Sequence, residues 1–220
     1  MNILALDATT HACSVALKSQ TKTYARFEVA PRQHANLLLP MIASLLEEAK
    51  LTHAHLQCIA VTVGPGSFTG VRMGLGVAQG LAYGLQLPVV GVSTLAVLAQ
   101  EAYETQGHKQ CLPAWDARMD EIYIGAYNIE NGLAVAVQPD ALSAPDKVNL
   151  PDGQKWWGIG NAWAMPALLL HAKQHIMGHE ETMYPTAKAL LSLAAAEAAQ
   201  GKTIDVQQLT PVYLRNKVTN

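Results

Sequence analysis

Charge is scarce in this chain. Only 15% of its 220 residues are Asp, Glu, Lys or Arg, against about 25% in an ordinary soluble domain. No basic run exceeds two residues and the net charge is −2, with a pI of about 6.4. Strong unspecific binding of nucleic acid by this chain alone is therefore not expected. The shortage points instead to surface hidden in an assembly. Cysteine is sparse as well. Cys13, Cys58 and Cys111 stand in apolar, strand-like segments with no C-x-x-C spacing, which fits reduced, buried thiols in a cytoplasmic protein. Nothing reads as a membrane span, and no basic region precedes MNILALD as it would in a signal peptide.

Half of the residues are hydrophobic, enough for a large core, and their order suggests two similar halves. Residues 3–7, 12–18 and 24–29 read as three strands joined by short turns. Residues 34–50 read as a helix with Leu37, Leu38, Met41, Leu45 and Leu46 in one stripe and Pro40 inside it. A buried strand at 58–63, a glycine-bearing helix, a strand at 88–92 and a helix at 94–105 capped by Ser93 follow. After the polar stretch 106–109, strands are expected at 111–115, 121–127 and 133–137, the last two joined by the hairpin dipeptide Asn131-Gly132. Residues 139–155, rich in Pro and Asp, read as loop. A short strand at 156–159, a helix beginning near Ala162 and a last helix at 186–199 stopped by Gly201 complete the pattern. The tail TPVYLRNKVTN reads as irregular. ILALDATTHACSVAL and LPAWDARMDEIYIGAY both read strand, Asp, turn, strand, with Asp7 and Asp116 at matching places. Duplication of one βββαβα unit, with an α/β fold of mixed sheets and flanking helices, is the expectation.

The segment GPGSFTGVRMGLGVAQGLAYG (64–84) is the most distinctive. Its helix carries Gly70, Gly74, Gly76, Gly80 and Gly84. A helix-interior glycine costs roughly 0.8–1 kcal/mol relative to Ala, so five cost about 4–5 kcal/mol. Gly76, Gly80 and Gly84 fall on one face, which can admit either the chain's own sheet or another helix at close range. The opening loop suggests a phosphate cradle at a helix N-terminus. However, the Walker pattern needs G-x-x-x-x-G-K-[ST], and the segment holds no Lys. The dinucleotide pattern also fails, since Thr69 stands where its third Gly belongs.

ILALDATTHACSVAL, RQHANLLLPMI, the glycine segment, WDARMDEIYIGAY and PVYLRN together resemble the TsaB (YeaZ) family, over nearly the whole chain and in the same order. The resemblance implies two RNase H-like lobes of the actin/Hsp70/sugar-kinase type, here residues 1–106 and 107–220, with the last helix able to pack back on the first lobe. It implies a subunit without transfer chemistry of its own. That subunit supports TsaD and the small ATPase TsaE in placing a threonylcarbamoyl group on N6 of adenosine 37 of tRNAs reading codons that begin with A. Members also pair with themselves through the helical face used for TsaD. The matching residues here are Leu37, Leu38, Met41 and Leu45 on the first helix and Gly70, Arg72, Gly76, Gly80 and Gly84 on the second. No certain cofactor is implied, although ATP or ADP can sit at the interface of the complex.

The same residues bear on other chemistries. ATP-using relatives of this fold have a Gly-containing phosphate hairpin after the first aspartate. Here the turns are Asp7-Ala8-Thr9-Thr10 and Asp116-Ala117-Arg118-Met119, neither with Gly, and a Cβ hinders close backbone approach. Asp7 and Asp116 can simply cap their turns; residual nucleotide binding would fall to Asp7, Thr9 and Thr10. His171, His175 and His179 share an i, i+4, i+8 spacing that could present ligands along a helix, or be a solvated face. His34 reads as a packing residue. A peptidase would need a G-x-S-x-G elbow around Ser67 or an H-E-x-x-H, and neither is present.

Overall fold

The computed structural model describes residues 1–20 and 22–215. Strands β1 (Ile3–Asp7), β2 (Ala12–Lys18) and β3 (Thr23–Val29) form an antiparallel meander. Helix α1 (His34–Ala49) leads to β4 (Cys58–Thr62), which lies parallel to β1, and α2 (Phe68–Leu85) leads to β5 (Val89–Val92), parallel to β4. The sheet order is β3-β2-β1-β4-β5. Every residue of β1 and β4 is buried. Such strands are covered on both faces, and this is why they read as unbroken apolar runs in the sequence.

After α3 (Thr94–Gln106) the same construction recurs. Strands β6 (Gln110–Arg118), β7 (Glu121–Glu130) and β8 (Leu133–Ser143) form a second meander. Strand β9 (Trp156–Ile159) returns parallel to β6, and α4 (Pro166–Ala172) connects it to β10 (Ile176–Glu180), parallel to β9. The order is β10-β9-β6-β7-β8, strand for strand that of the first sheet. The fold is therefore α/β with two RNase H-like lobes. Helix α5 (Ala187–Ala199) is the last α-helix among the described residues.

The two lobes exchange their helices. One face of the first sheet carries α1 and α2, with Leu38, Ile42, Leu45, Val71, Leu75 and Ala78 in one core. Its other face meets α5, although α5 follows the second sheet in sequence, while α3 packs against β6, β7 and β8. Residues of α3, α5 and both sheets thus share a central core, and α4 covers the outer face of the second sheet. The sequence boundary near residue 106 separates the sheets but not this helical layer. At the seam, Ser93 caps α3 through Leu95 N and Ala96 N and donates to Asp140 of β8, whose other oxygen accepts from Tyr127 at 2.6 Å.

Two expectations need correction. Residues 139–155 are not all loop, because β8 continues to Ser143. As an edge strand it tolerates Pro139, and a Cβ at Gly125 would come within 2.4 Å of Asp140 Oδ1, so the glycine admits the half-buried carboxylate. The histidines 171, 175 and 179 do not share a helix. Helix α4 stops at Ala172, and His179 stands on β10. Pairing with β9 brings Gly178 against the Trp157 ring, with room for no Cβ. Among the described residues no group of three His, Cys, Asp or Glu side chains could hold a metal, and no helix is long and apolar enough to cross a membrane.

Candidate functional site

Asp7 ends β1 and is fully buried. Its Oδ1 accepts from Thr9 Oγ1 at 2.7 Å and from Thr62 Oγ1 at 2.5 Å. The carboxylate therefore ties the ends of β1 and β4 together. Burial pushes it up to about 6, against the opposing pull of the Thr62 and Thr9 bonds. Its Oδ2 has no partner among the described residues. Thr10 Oγ1 accepts from Ala12 N at 3.2 Å. Of the three residues expected to hold nucleotide, Thr9 and Thr10 line the interlobe cleft, and Asp7 lies behind them.

The glycine loop seats this turn. A Cβ at Gly66 would lie 2.4 Å from Thr9 O, and one at Gly70 would lie 2.1 Å from Ala8 O. Ser67 N donates to Thr9 O at 2.7 Å. The close backbone approach that the glycines permit is used by the β1–β2 turn rather than by a phosphate. The Ser67 hydroxyl caps α2 through Gly70 N. That leaves it bonded to no histidine among the described residues, as a serine nucleophile would be.

The nine residues expected at a helical interface fall into three groups. Gly76, Gly80 and Gly84 face open space, with nothing within 4 Å of a built Cβ. Leu38, Met41 and Leu45 do not; they are buried in the core beneath α1, with Leu37 half-buried beside them. Gly70 is also internal. The apolar stripe of an amphipathic helix marks the face packed on its own sheet, and Leu38, Met41 and Leu45 lie on that face. The outward faces of α1 and α2 carry Leu39 (56% exposed) and Tyr83 (72% exposed) instead. A signal for Leu39 was available: three successive leucines, at 100° per residue, cannot all face one side of a helix.

Arg72 belongs to the third group, the cleft. This cavity of about 630 Å³ is lined by the β1–β2 turn, the start of α2, the β6–β7 turn and the chain's last described residues. Its guanidinium lies 3.3 Å from the centre of the Phe68 ring and 5.0 Å from that of Tyr213. Across the cleft, Asp116 Oδ1 accepts from Arg118 N at 2.7 Å, the turn-capping role. Arg118, Met119 and Asp120 all have positive φ, an unusual run for non-glycine residues. Arg215 holds this turn. It donates to Ala117 O and Arg118 O at 3.1 Å each and to Glu121 Oε2 at 2.6 Å. The irregular tail is anchored on the first lobe by Val212 N to Val63 O at 2.8 Å and by the buried Leu209. PVYLR, the glycine loop and DARMD, distant in sequence, therefore meet at one cleft. The roles of Tyr213 and Arg215 were not readable from the irregular tail. Of the matched segment PVYLRN, Asn216 lies outside the described residues, as does the rest of the tail.

Known proteins resemble this chain in sequence and in fold. The family model for TsaD, described as tRNA N6-adenosine threonylcarbamoyltransferase, matches residues 15–218. The chain is 40% identical to the tRNA threonylcarbamoyladenosine biosynthesis protein TsaB of Escherichia coli, over 99% of this chain and 96% of that one. It is 35% identical to the TsaB protein of Haemophilus influenzae, over 100% and 95%. A solved structure described as YeaZ from Pseudomonas aeruginosa superposes with a TM-score of 0.90 at 41% identity, covering 97% of this chain and 99% of that one.

Proposed function

Because the chain belongs to the TsaB family of tRNA threonylcarbamoyladenosine biosynthesis proteins, we propose that it serves that pathway as a non-catalytic scaffold for a TsaD-type subunit. The observation that carries the reading is the open face of α2. Gly76, Gly80 and Gly84 have nothing against them, each at a cost in helix propensity. A second helix lying there would find close backbone contact, with Tyr83 and Leu39 at its flanks. Helices α1 and α2 cover the same sheet face, so their outward sides form one surface. The match of this chain to the TsaD family model supports a partner of like construction, able to offer equivalent helices in a four-helix contact. A second copy of this chain fits the same face, which accounts for a homodimer as a competing state.

The interior of the site favours support over chemistry. Asp7 is enclosed, the glycine loop is filled by backbone, and Ser67 caps a helix. ATP or ADP of the assembly would sit at the interface with the partner rather than on Asp7. TsaE and tRNA would engage the assembled pair, in the cytoplasm.

Reconstitution with TsaD, TsaE, tRNA and threonylcarbamoyl-adenylate, with and without this chain, tests the proposal. Modification is expected only when the chain is present with TsaD. Full modification in its absence, or transfer by this chain alone, would overturn the scaffold role. ATP turnover by the isolated chain that is lost on Asp7→Ala would favour an ATP-using enzyme instead.

A further inference from the structure

We propose that the mouth of the interlobe cleft, formed by Phe68, Arg72, Tyr213 and Arg118, binds an unpaired stretch of the tRNA. The proposal rests on the pathway reading above and adds to it the surface by which this chain touches RNA.

Phe68 and Tyr213 are 58% and 44% exposed, and their ring centres are 6.2 Å apart. The Arg72 guanidinium lies against both. Exposed aromatic rings with a guanidinium packed against them form a stacking platform for bases, because every base offers a π-face. Charge favours the same occupant. The cleft lining holds Arg72, Arg118 and Arg215 against the single carboxylate of Asp116, in a chain of net charge −2. Arg118 is paired with Asp116 at 3.2 Å and Arg215 with Glu121 at 2.6 Å, whereas Arg72 has no carboxylate partner among the described residues. A phosphodiester would supply one. At about 630 Å³ the cavity is of the size that takes a small ligand, so it admits a splayed nucleotide and excludes a duplex, which RNA-binding surfaces read by backbone shape instead. Arg215 fixes the β6–β7 turn through two of its carbonyls. That clamp keeps Arg118, on a left-handed backbone, at the rim opposite the platform.

The test uses the full chain in complex with TsaD and a tRNA transcript carrying 4-thiouridine in its loops. Irradiation is expected to join RNA to peptides containing Phe68 or Tyr213. The double variant Phe68→Ala/Tyr213→Ala should weaken binding of the transcript about 10-fold or more, given roughly 1–3 kcal/mol per stacked base. Arg72→Gln should weaken it less and flatten its dependence on salt; as a surface change it serves if the double variant is poorly folded. A base-paired RNA of equal length should not compete. Cross-links confined to TsaD, with both variants binding as wild type, would overturn the proposal. So would competition by micromolar ATP without competition by loop RNA, which marks a free-nucleotide site. Cross-linking of the cleft to a protein partner alone would mark a peptide site and overturn it too. Co-elution of the same variants with TsaD separates these outcomes from failure of the scaffold reading, which predicts that pairing depends on Gly80 and not on the cleft.

Discussion

The backbone N–H of Ser67 donates to the carbonyl oxygen of Thr9 across 2.7 Å. This bond joins the glycine loop to the β1–β2 turn and closes the place where a phosphate-binding fold would hold its ligand. Its neighbours make the consequence measurable. Gly66→Ala and Gly70→Ala would set a methyl 2.4 and 2.1 Å from backbone oxygens that cannot swing aside. Each should cost about 1–3 kcal/mol, as overpacking does. Gly76→Ala, with nothing within 4 Å, should instead stabilise the chain by up to about 1 kcal/mol. Urea denaturation midpoints of the three variants check the contrast.

Burial raises the Asp7 carboxyl to about 6 from an ordinary 3.8. The folded state thus holds a proton that the unfolded state releases first. Stability is greatest below pH 3.8 as far as this group is concerned, falls as the pH rises from there to about 6, and is level above. The charged form costs on the order of 3 kcal/mol at neutral pH. Asp7→Asn can still accept from Thr9 and Thr62 through Oδ1 without carrying that charge. It should raise stability near pH 7.5 and reduce the slope between pH 4 and 6, read from urea midpoints across that range. Asp140 and Glu101 are raised by burial in the same direction, so the difference between variant and wild type is the quantity to follow.

Arg215 is largely buried and donates to two turn carbonyls and to Glu121. Arg215→Ala removes these donors while the strained residues Arg118, Met119 and Asp120 remain. Amide hydrogen exchange should rise at residues 117–121 and at the tail around Tyr213. Stability should fall by about 1–3 kcal/mol, the range for charge-assisted hydrogen bonds. Unchanged exchange at the turn would show that the turn holds its own shape.

Much of this molecule was legible in its sequence where local rules decide. The buried strands, the repeated strand-Asp-turn-strand pattern, the Ser93 cap and the Asn131-Gly132 hairpin are set by neighbours in the chain. Asn131 and Gly132 take the positive φ values that such a turn needs. What was misread depends on distant partners. Gly70 reads as an interface glycine because Ala8, whose carbonyl it accommodates, lies far back in the sequence. The histidines at 171, 175 and 179 suggested a helix, but pairing with β9 makes a strand there. Arg215 could not be placed at all, because its bonds reach a turn far back in the chain.

The α1 stripe was read on its wrong side, and this gives the sharpest prediction for the interface. Leu38 is buried against the sheet, and Gly80 stands in the open. Leu38→Ala should therefore cost about 2–5 kcal/mol of stability. Folded Leu38→Ala should still pair with TsaD at close to wild-type strength. Gly80→Leu should do the reverse. It introduces no clash within the chain and removes a helix glycine, so the melting temperature should hold or rise. Its side chain would hold an approaching helix away at the point of closest contact, so co-elution with TsaD on size exclusion should be lost. Self-pairing should weaken with it, because one face serves both partners. If Gly80→Leu pairs with TsaD normally, α2 does not form the contact. The open glycines would then need another cause.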